Sequence, residues 1–393
     1  MPLGPLRQVA VVGIGMTEVA RVSPRTALDF SAEALRSALD DSGLHRDDVD
    51  GLFTNVGFPL AVDYDRLAEA FGLRIRSAVQ TWSHGRFVGP ALQAAVQAVA
   101  LGTAEVAACV GGVSFSRIGV VGGSGDVEGV RQGGGSHGEL PQYGMTAPGA
   151  GAAMAFSRYC ARYGLDPELI AAVPLAARRN ARLNPNAQLT KPLELEDYRA
   201  APYVVEPLRR PDFALLSDGG GALLVTTVER ARDLRRPAVV VGGMQGLHAG
   251  HDEFIFAPPG LGVFTQTDER RPVRPADNPV YGMAGLAGPQ DVDVLTLYDA
   301  FSPNVPFVLE RFGFTGEGEA LSWIQDGRIE VGGELPVNTA GGLLAEAHIC
   351  GWGHFVEAVR QLRGEAGARQ VAGCEVVQWA TPFGDSVILS QDR

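Results

Sequence analysis

The chain has 393 residues, room for two or three domain-sized units or for one large pseudo-symmetric body. Its formal net charge of −12 excludes sequence-independent nucleic-acid binding, which needs a basic surface. There is no run of about 20 apolar residues, and no basic N-terminal region leading into an apolar one. Neither a membrane span nor a secretory signal is therefore expected, and a cytoplasmic location is. Cys109, Cys160, Cys350 and Cys374 follow no CxxC or Cys/His spacing; they read as reduced, buried thiols, and no metal site is expected in this chain.

Residues 8–15, QVAVVGIG, form an apolar run ending in glycines and predict a buried strand. The segment PRTALDFSAEALRSALDDSG spaces Leu28, Ala32, Leu35 and Leu39 along one helical face, with Pro24 near its start and Gly43 after its end. DVDGLFTNVG predicts a second strand, GPALQAAVQAVALGTA a helix of small residues, and EVAACVGGVS a third strand. This βαβαβ order predicts a mostly parallel sheet covered by helices. Residues 118–150 lose all periodicity to glycine, as long functional or mobile loops do. GAGAAMAFSRYCARYGL and PELIAAVPLAARRNARLNP are helical, LEDYRAAPYVVEPLRRPDF reads as extended, and SDGGGALLVTTVERARDL as a polar loop, a strand and a helix.

From about residue 236 the pattern starts again with PAVVVGGMQG. DVDVLTLYDAF echoes DVDGLFTNVG. GHFVEAVRQLRGEAGARQVAGCEVVQ echoes GPALQAAVQAVALGTAEVAACVGG, each pairing a Gly-led helix with a strand that carries Cys109 or Cys374. The chain reads as a duplicated α/β unit with a loop domain inserted in the first copy.

Chemistry-bearing residues gather at a few motifs. VVGIGMTE lacks the third glycine of a dinucleotide fingerprint and reads as a strand-ending turn. VQTWSHGRFVGPAL breaks from a polar turn into a helix. The free N–H groups and positive dipole end of that helix suit an anion, and Ser83, His84, Gly85 and Arg86 stand around it. In SDGGGALLV, Asp218 and the glycines either approach a ligand or turn into the strand. LYDAF places Tyr298 at a strand's C-terminal end, where parallel sheets open onto ligand crevices; Asp299 caps a helix or orients a neighbour. NTAGGLLAEAHICGWGH surrounds His348 with glycines; Gly341 and Gly342 allow close backbone approach and leave room for substrate, and His354 begins the next helix.

In this order VAVVGIGMTE, the helix after residue 84, SDGGGALLV, LYDAF, NTAGGLLAEAHICG and WATPFGDSVIL resemble the thiolase superfamily over essentially the whole chain. LYDAF is similar to the family's NEAF-type motif, and GGLLAEAHICG to its GG…GHPxG motif, with His348 on the motif's histidine. The resemblance implies an α/β thiolase fold: two pseudo-symmetric βαβαβ halves in a five-layered αβαβα body with an inserted loop domain. Residues 1–117 and 212–232 would form the N-terminal half, 118–211 the insert and 233–393 the C-terminal half. Thiolases carry a nucleophilic cysteine at the start of the platform helix; its place here falls on or beside Gly85. The loop of their second cysteine reads Gln378-Trp379-Ala380-Thr381. Cys374 lies earlier, and Cys350 stands where thiolases have the residue after the GHP proline. Loss of both thiols resembles the lipid-transfer-protein-like branch, whose members act as aldolases on side-chain CoA thioesters of steroids through two tyrosines. Tyr298 matches the first, in YDxF; His348 stands at the second.

That branch implies retro-aldol cleavage of a β-hydroxyacyl-CoA thioester by non-covalent acid/base catalysis. An imidazole with an ordinary pKa of about 6.5 is a better base near neutrality than a phenol at about 10. His348 is therefore expected in the acid/base or enolate-oxygen role, with Tyr298 as its partner and His84 as a second donor. Ser83, Gly85, Arg86, Asp299, Gly341, Gly342 and Trp379 are the candidates to line the thioester or CoA, and Arg131 and Arg178–Arg179 to meet the CoA phosphates. Coenzyme A enters as part of the substrate, not as a cofactor. The resemblance also implies a homodimer and a small zinc-ribbon/OB-fold partner protein, to which any zinc would belong. Two rivals stay open: a cysteine-independent acyltransferase or C–C bond-forming enzyme of secondary metabolism, and a non-catalytic scaffold subunit, which a closed, solvent-poor pocket at His348 and Tyr298 would favour.

Overall fold

The computed structural model describes residues 8–57, 61–81, 83, 86–117, 148–247 and 278–392. Strand β1 (Val9–Met16) is buried along nearly its whole length, and helix α1 (Ala27–Ser42) lies on it. The Thr26 side chain accepts the Asp29 N–H to cap α1, and Gly43 ends it in the left-handed region at φ 78°. The buried face of α1 is Phe30, Ala34, Leu35 and Ala38; of the expected stripe only Leu35 is fully buried, and Ala32 is exposed. Close backbone contact turns the helix this way. A Cβ at Gly13 would lie 2.4 Å from the Ala38 carbonyl oxygen, and one at Gly15 2.0 Å from that of Ala34. These glycines sit inside the strand as a bed for α1; they do not end it.

The chain continues through β2 (Gly51–Thr54), α2 (Tyr64–Phe71), β3 (Ser77–Gln80), α3 (Val88–Ala100) and β4 (Ala107–Ser114). After residues 118–147, which lie outside the described residues along with most of the glycine-rich loop, come α4 (Pro148–Tyr163), α5 (Ala172–Ala181) and α6 (Leu195–Ala200). The segment expected to be extended thus begins as a helix, because the Glu194 and Asp197 carboxylates close a reciprocal cap on its first turn. A short hairpin follows, β5 (Tyr203–Val205) and β6 (Leu208–Arg209), then β7 (Asp218–Thr227), α7 (Val228–Ala231) and β8 (Val239–Gln245). The second half adds α8 (Pro279–Met283), β9 (Val294–Leu297), α9 (Asn304–Arg311), α10 (Ala320–Trp323), α11 (Gly342–Ala345), α12 (Trp352–Arg363), β10 (Val376–Ala380) and β11 (Ser386–Gln391). Cys374 falls in the turn before β10, not on a strand.

Nine strands form one sheet in the order β3-β2-β4-β7-β1-β8-β11-β10-β9. Read outward from the centre, β1-β7-β4-β2 and β8-β11-β10-β9 repeat the same pattern: two antiparallel ladders, then a parallel one. Among the described residues the sheet is continuous between the halves through two residue pairs of β1 and β8, Ala10 with Val240 and Val11 with Val239. The sheet is mixed, not mostly parallel, because β7 and β11 run antiparallel to both neighbours. β11 closes a hairpin with β10, and β7 returns from the long excursion through α4–α6 and the β5–β6 hairpin to lie antiparallel beside β4. Helices α3 and α12 pack against strands of both halves, α1 covers the outer face of the first and α8 that of the second. This is a five-layered αβαβα body. Among the described residues no helix is long and apolar enough to cross a membrane.

Candidate active site

Tyr298 leaves the C-terminal end of β9. Its N–H donates to the Ala380 carbonyl at 3.1 Å, and its own carbonyl accepts from Asn304 Nδ2 at 2.9 Å. His348 comes from the glycine-rich loop after α11. Its N–H donates to the Leu215 carbonyl at 2.8 Å, and its carbonyl accepts the Ser217 N–H at 3.2 Å. Two backbone clamps from unrelated segments thus aim the two side chains at each other, and Tyr298 Oη lies 2.9 Å from His348 Nε2. Residues 50 apart in sequence meet as the sequence pairing of LYDAF with AHICG predicts.

The pair is dry: Tyr298 is 2% exposed and His348 7%. Phe115 meets the imidazole at 5.4 Å between ring centroids, nearly edge-on. Phe87 lies 6.4 Å from the imidazole and 5.7 Å from the phenol. Burial pushes the His348 pKa down to about 4, assisted by His354; its backbone hydrogen bond and the Asp299 carboxylate oppose the fall. Burial holds the Tyr298 phenol well above its ordinary value, and the neighbouring Cys350 and Asp299 push the same way. The imidazole is therefore neutral at pH 7 and far from the near-neutral base expected from its residue type. The phenol and Nε2 share one hydrogen bond whose direction follows the imidazole tautomer, and Nδ1 has no partner in the described structure.

Phe87 caps α3 in a backbone conformation unusual for a side-chain-bearing residue, φ 34° and ψ −96°. It follows the turn in which the Ser83 carbonyl accepts the N–H groups of Arg86 and Phe87. At the head of the platform helix, then, a benzyl ring faces the phenol and imidazole. His84 and Gly85 lie outside the described residues, as does Arg131. Arg86 binds Asp385 through Nε at 2.6 Å and Nη2 at 2.5 Å, tying the start of α3 to the β10–β11 turn. Arg179 pairs with Glu330, and Arg178 donates to the Lys191 carbonyl.

The remaining candidates serve packing and support. Asp299 Oδ1 accepts the Leu343 N–H at 2.9 Å, so Asp299 caps α11, not the helix that follows it in sequence. A Cβ at Gly342, where φ is 62°, would lie 2.1 Å from Asp299 Oδ2, and one at Gly341 would lie 2.7 Å from the Ala181 Cβ. The room beside these glycines is filled by Asp299 and α5. Trp379 is 1% exposed, rests on Phe355 at 4.8 Å and fills the space over Gly89. Likewise Gly219–Gly221 are strand residues: a Cβ at Gly221 would lie 2.5 Å from the Trp352 Cβ. Asp218 is turned to structure, accepting the N–H groups of Ser23 and Ser116.

All four thiols are buried. Burial raises the Cys374 and Cys160 pKa values to about 12 and drives Cys350 and Cys109 higher, so none of the four is a thiolate at neutral pH. Among the described residues no group of three or more His, Cys, Asp or Glu could hold a metal ion. Phe87, Phe115 and the contact between His354 and Asp299 were not legible as site features. Phe115 follows the C-terminal end of β4, and that position was the one available signal.

A family model described as thiolase C-terminal domain-like matches residues 266–381. The chain is 37% identical over 361 residues to a steroid side-chain-cleaving aldolase of Thermomonospora curvata, covering 90% of each chain. It is 36% identical over 382 residues to the 17-hydroxy-3-oxo-4-pregnene-20-carboxyl-CoA lyase of Mycobacterium tuberculosis, covering 94% of this chain and 95% of the other. A solved chain of an Ltp2-ChsH2(DUF35) aldolase superposes with a TM-score of 0.84 at 32% identity, over 100% of this chain and 99% of that one. With the layered fold, the phenol–imidazole pair and these relatives together, the chain belongs to the thiolase superfamily, in its lipid-transfer-protein-like aldolase branch.

Proposed function

We propose that this aldolase cleaves a β-hydroxyacyl-CoA thioester by a retro-aldol reaction without a covalent intermediate. One observation carries the mechanism: a buried phenol and a neutral imidazole share a hydrogen bond of 2.9 Å near the head of α3, where Phe87 packs against both rings. The β-hydroxyl proton passes to the pair, with Nε2 as its acceptor through the phenol oxygen. The electrons of the O–H bond form a carbonyl as the Cα–Cβ bond breaks. The electrons of that bond become a thioester enolate, stabilised by N–H donors as at any oxyanion site. The proton then moves from the pair to Cα. It ends on the shortened thioester and the pair returns to its starting state, so nothing is consumed. His84, Ser83 and Gly85, at the entrance to α3, are proposed to hold the thioester end.

A pair this dry also suits proton transfer, because exclusion of water strengthens each electrostatic contact. Burial is thus no argument for a scaffold here, and the relatives that cover nine-tenths of the chain are named as enzymes. Those names support a steroid or other polycyclic carbonyl fragment as the leaving group. The similar Ltp2-ChsH2(DUF35) assembly supports a DUF35-type zinc-ribbon/OB-fold partner. The edge strand β3 supports a homodimer, since Ala78, Val79 and Gln80 are exposed and, among the described residues, one side of the strand has no neighbour in the sheet. The test is product analysis of the purified protein, with and without such a partner, on a 17-hydroxy steroid bearing a 20-carboxyl-CoA. A 17-ketone and a shortened CoA thioester in equal amounts are expected. Free CoA with an acylated protein would overturn the reading in favour of acyl transfer.

A further inference from the structure

Beneath the phenol and imidazole lies a second buried pair. Asp299 follows Tyr298 directly, and its Oδ1 both accepts the Leu343 N–H and lies 3.1 Å from His354 Nε2. Asp299 is 1% exposed and His354 3%. Among the described residues no Arg or Lys lies within ion-pair distance of this carboxylate; its partner is His354. A carboxylate only accepts, so Nε2 of His354 carries the proton, and Nδ1 is the nitrogen left without a partner.

The contacts join three elements. Asp299 lies two residues past the end of β9, Leu343 lies in α11, whose following loop bears His348, and His354 stands in the first turn of α12. The His354 ring meets the Tyr298 ring edge-on at 6.4 Å. Displacing the carboxylate frees the anchor of both catalytic loops at once. Gly342 packs against it so closely that no side chain fits there.

We propose that Asp299 and His354 are a positioning dyad: they fix the Tyr298–His348 distance and hold one negative charge beside both rings. The inference rests on the lyase reading above. The described titratable groups around His348 are Tyr298 and Asp299 from the end of β9, His354 from α12 and Cys350 from its own loop; α3 and the end of β4 contribute only the apolar Phe87 and Phe115. The charge of Asp299 favours a protonated imidazole and disfavours a phenolate. Removing it therefore lowers both ionisations and moves both limbs of the pH–rate profile to lower pH.

The test uses Asp299→Asn, His354→Gln and His354→Leu in the intact protein, with kcat and KM measured against pH on the same thioester. Asp299→Asn should lose roughly 10- to 100-fold in kcat, the range for supporting partners one step removed from the reacting groups, as at metal-bound histidines, with KM near the parent's and both limbs shifted to lower pH. His354→Gln, which still presents an N–H to the carboxylate, should retain most of the activity that His354→Leu loses. A slower Asp299→Asn with unshifted limbs means a merely structural role and overturns the proposal. If Asp299→Asn does not fold, equal losses in the two His354 variants overturn it. A parent protein without lyase turnover overturns the reading of the site itself, whereas an active parent with an inactive Tyr298→Phe and an unmoved Asp299→Asn profile overturns only the dyad.

Discussion

Replacing Tyr298 with Phe removes one oxygen and little else. The parent phenol hydrogen-bonds His348 Nε2 at 2.9 Å in a site with almost no solvent, and Nδ1 already has no partner. Without the hydroxyl, both ring nitrogens are buried and unpaired. An orphaned buried group costs about 1–3 kcal/mol, so the melting temperature should fall modestly. The ring itself stays, so the contacts with Phe87 and His354 persist. The rate should fall much further. A positioned acid/base contributes about 10²- to 10⁴-fold, which is ~3–5 kcal/mol on the barrier. The assay is single-turnover release of the carbonyl fragment, followed by mass spectrometry, beside a thermal melt of the same preparation. Unchanged turnover together with the expected drop in melting temperature would refute the reasoning, because the hydrogen bond would then serve only the fold.

The acid limb of kcat/KM should fall near pH 4, where burial holds His348, and not near 6.5; a pH–rate profile checks this, and a limb at the higher value rules out the buried imidazole. The same shift affects stability. The unfolded chain takes up the His348 proton first, so the fold is progressively destabilised as pH falls from 6.5 to about 4, as acid titration of the melting temperature should show. Glu346 acts in the opposite sense. Burial and Glu357 raise its pKa to about 7, so its stabilising contribution is present below 4.5 and lost as pH rises to about 7. Glu346→Gln, which can still accept the Asn184 amide, should match the parent in acid and melt higher above about pH 7. Cys350→Ala should retain turnover, and intact-protein mass spectrometry during turnover should find no acyl adduct on Cys350 or Cys374; an adduct on either would restore a covalent route.

Much of the site was legible because its two central residues sit in local motifs. A tyrosine at the end of an apolar strand and a histidine between glycine pairs identify themselves by residue type and place. Their neighbours do not. Phe87 and Phe115 are ordinary apolar residues in sequence, and only the approach of α3 and β4 to the pair makes them walls of the site. Gly341 and Gly342 illustrate the opposite error. Glycine marks close approach, but the sequence does not say of what, and here Asp299 and α5 take the space. Trp379 likewise belongs to the core between α3 and α12.

The amino-acid order alone determined the duplicated α/β architecture, the lack of a cysteine at the head of the platform helix and the two motifs that bring Tyr298 to His348, because periodicity, motif order and residue type are local properties. Packing decided the rest. The direction of β7 depends on where a long excursion returns, the rotation of α1 on glycine beds in β1, and the ionisation of His348 on how completely Phe87, Phe115 and the surrounding chain bury it. Solvation is a property of the whole neighbourhood. A histidine that is a near-neutral base by residue type becomes a dry acceptor only when the folded chain closes around it.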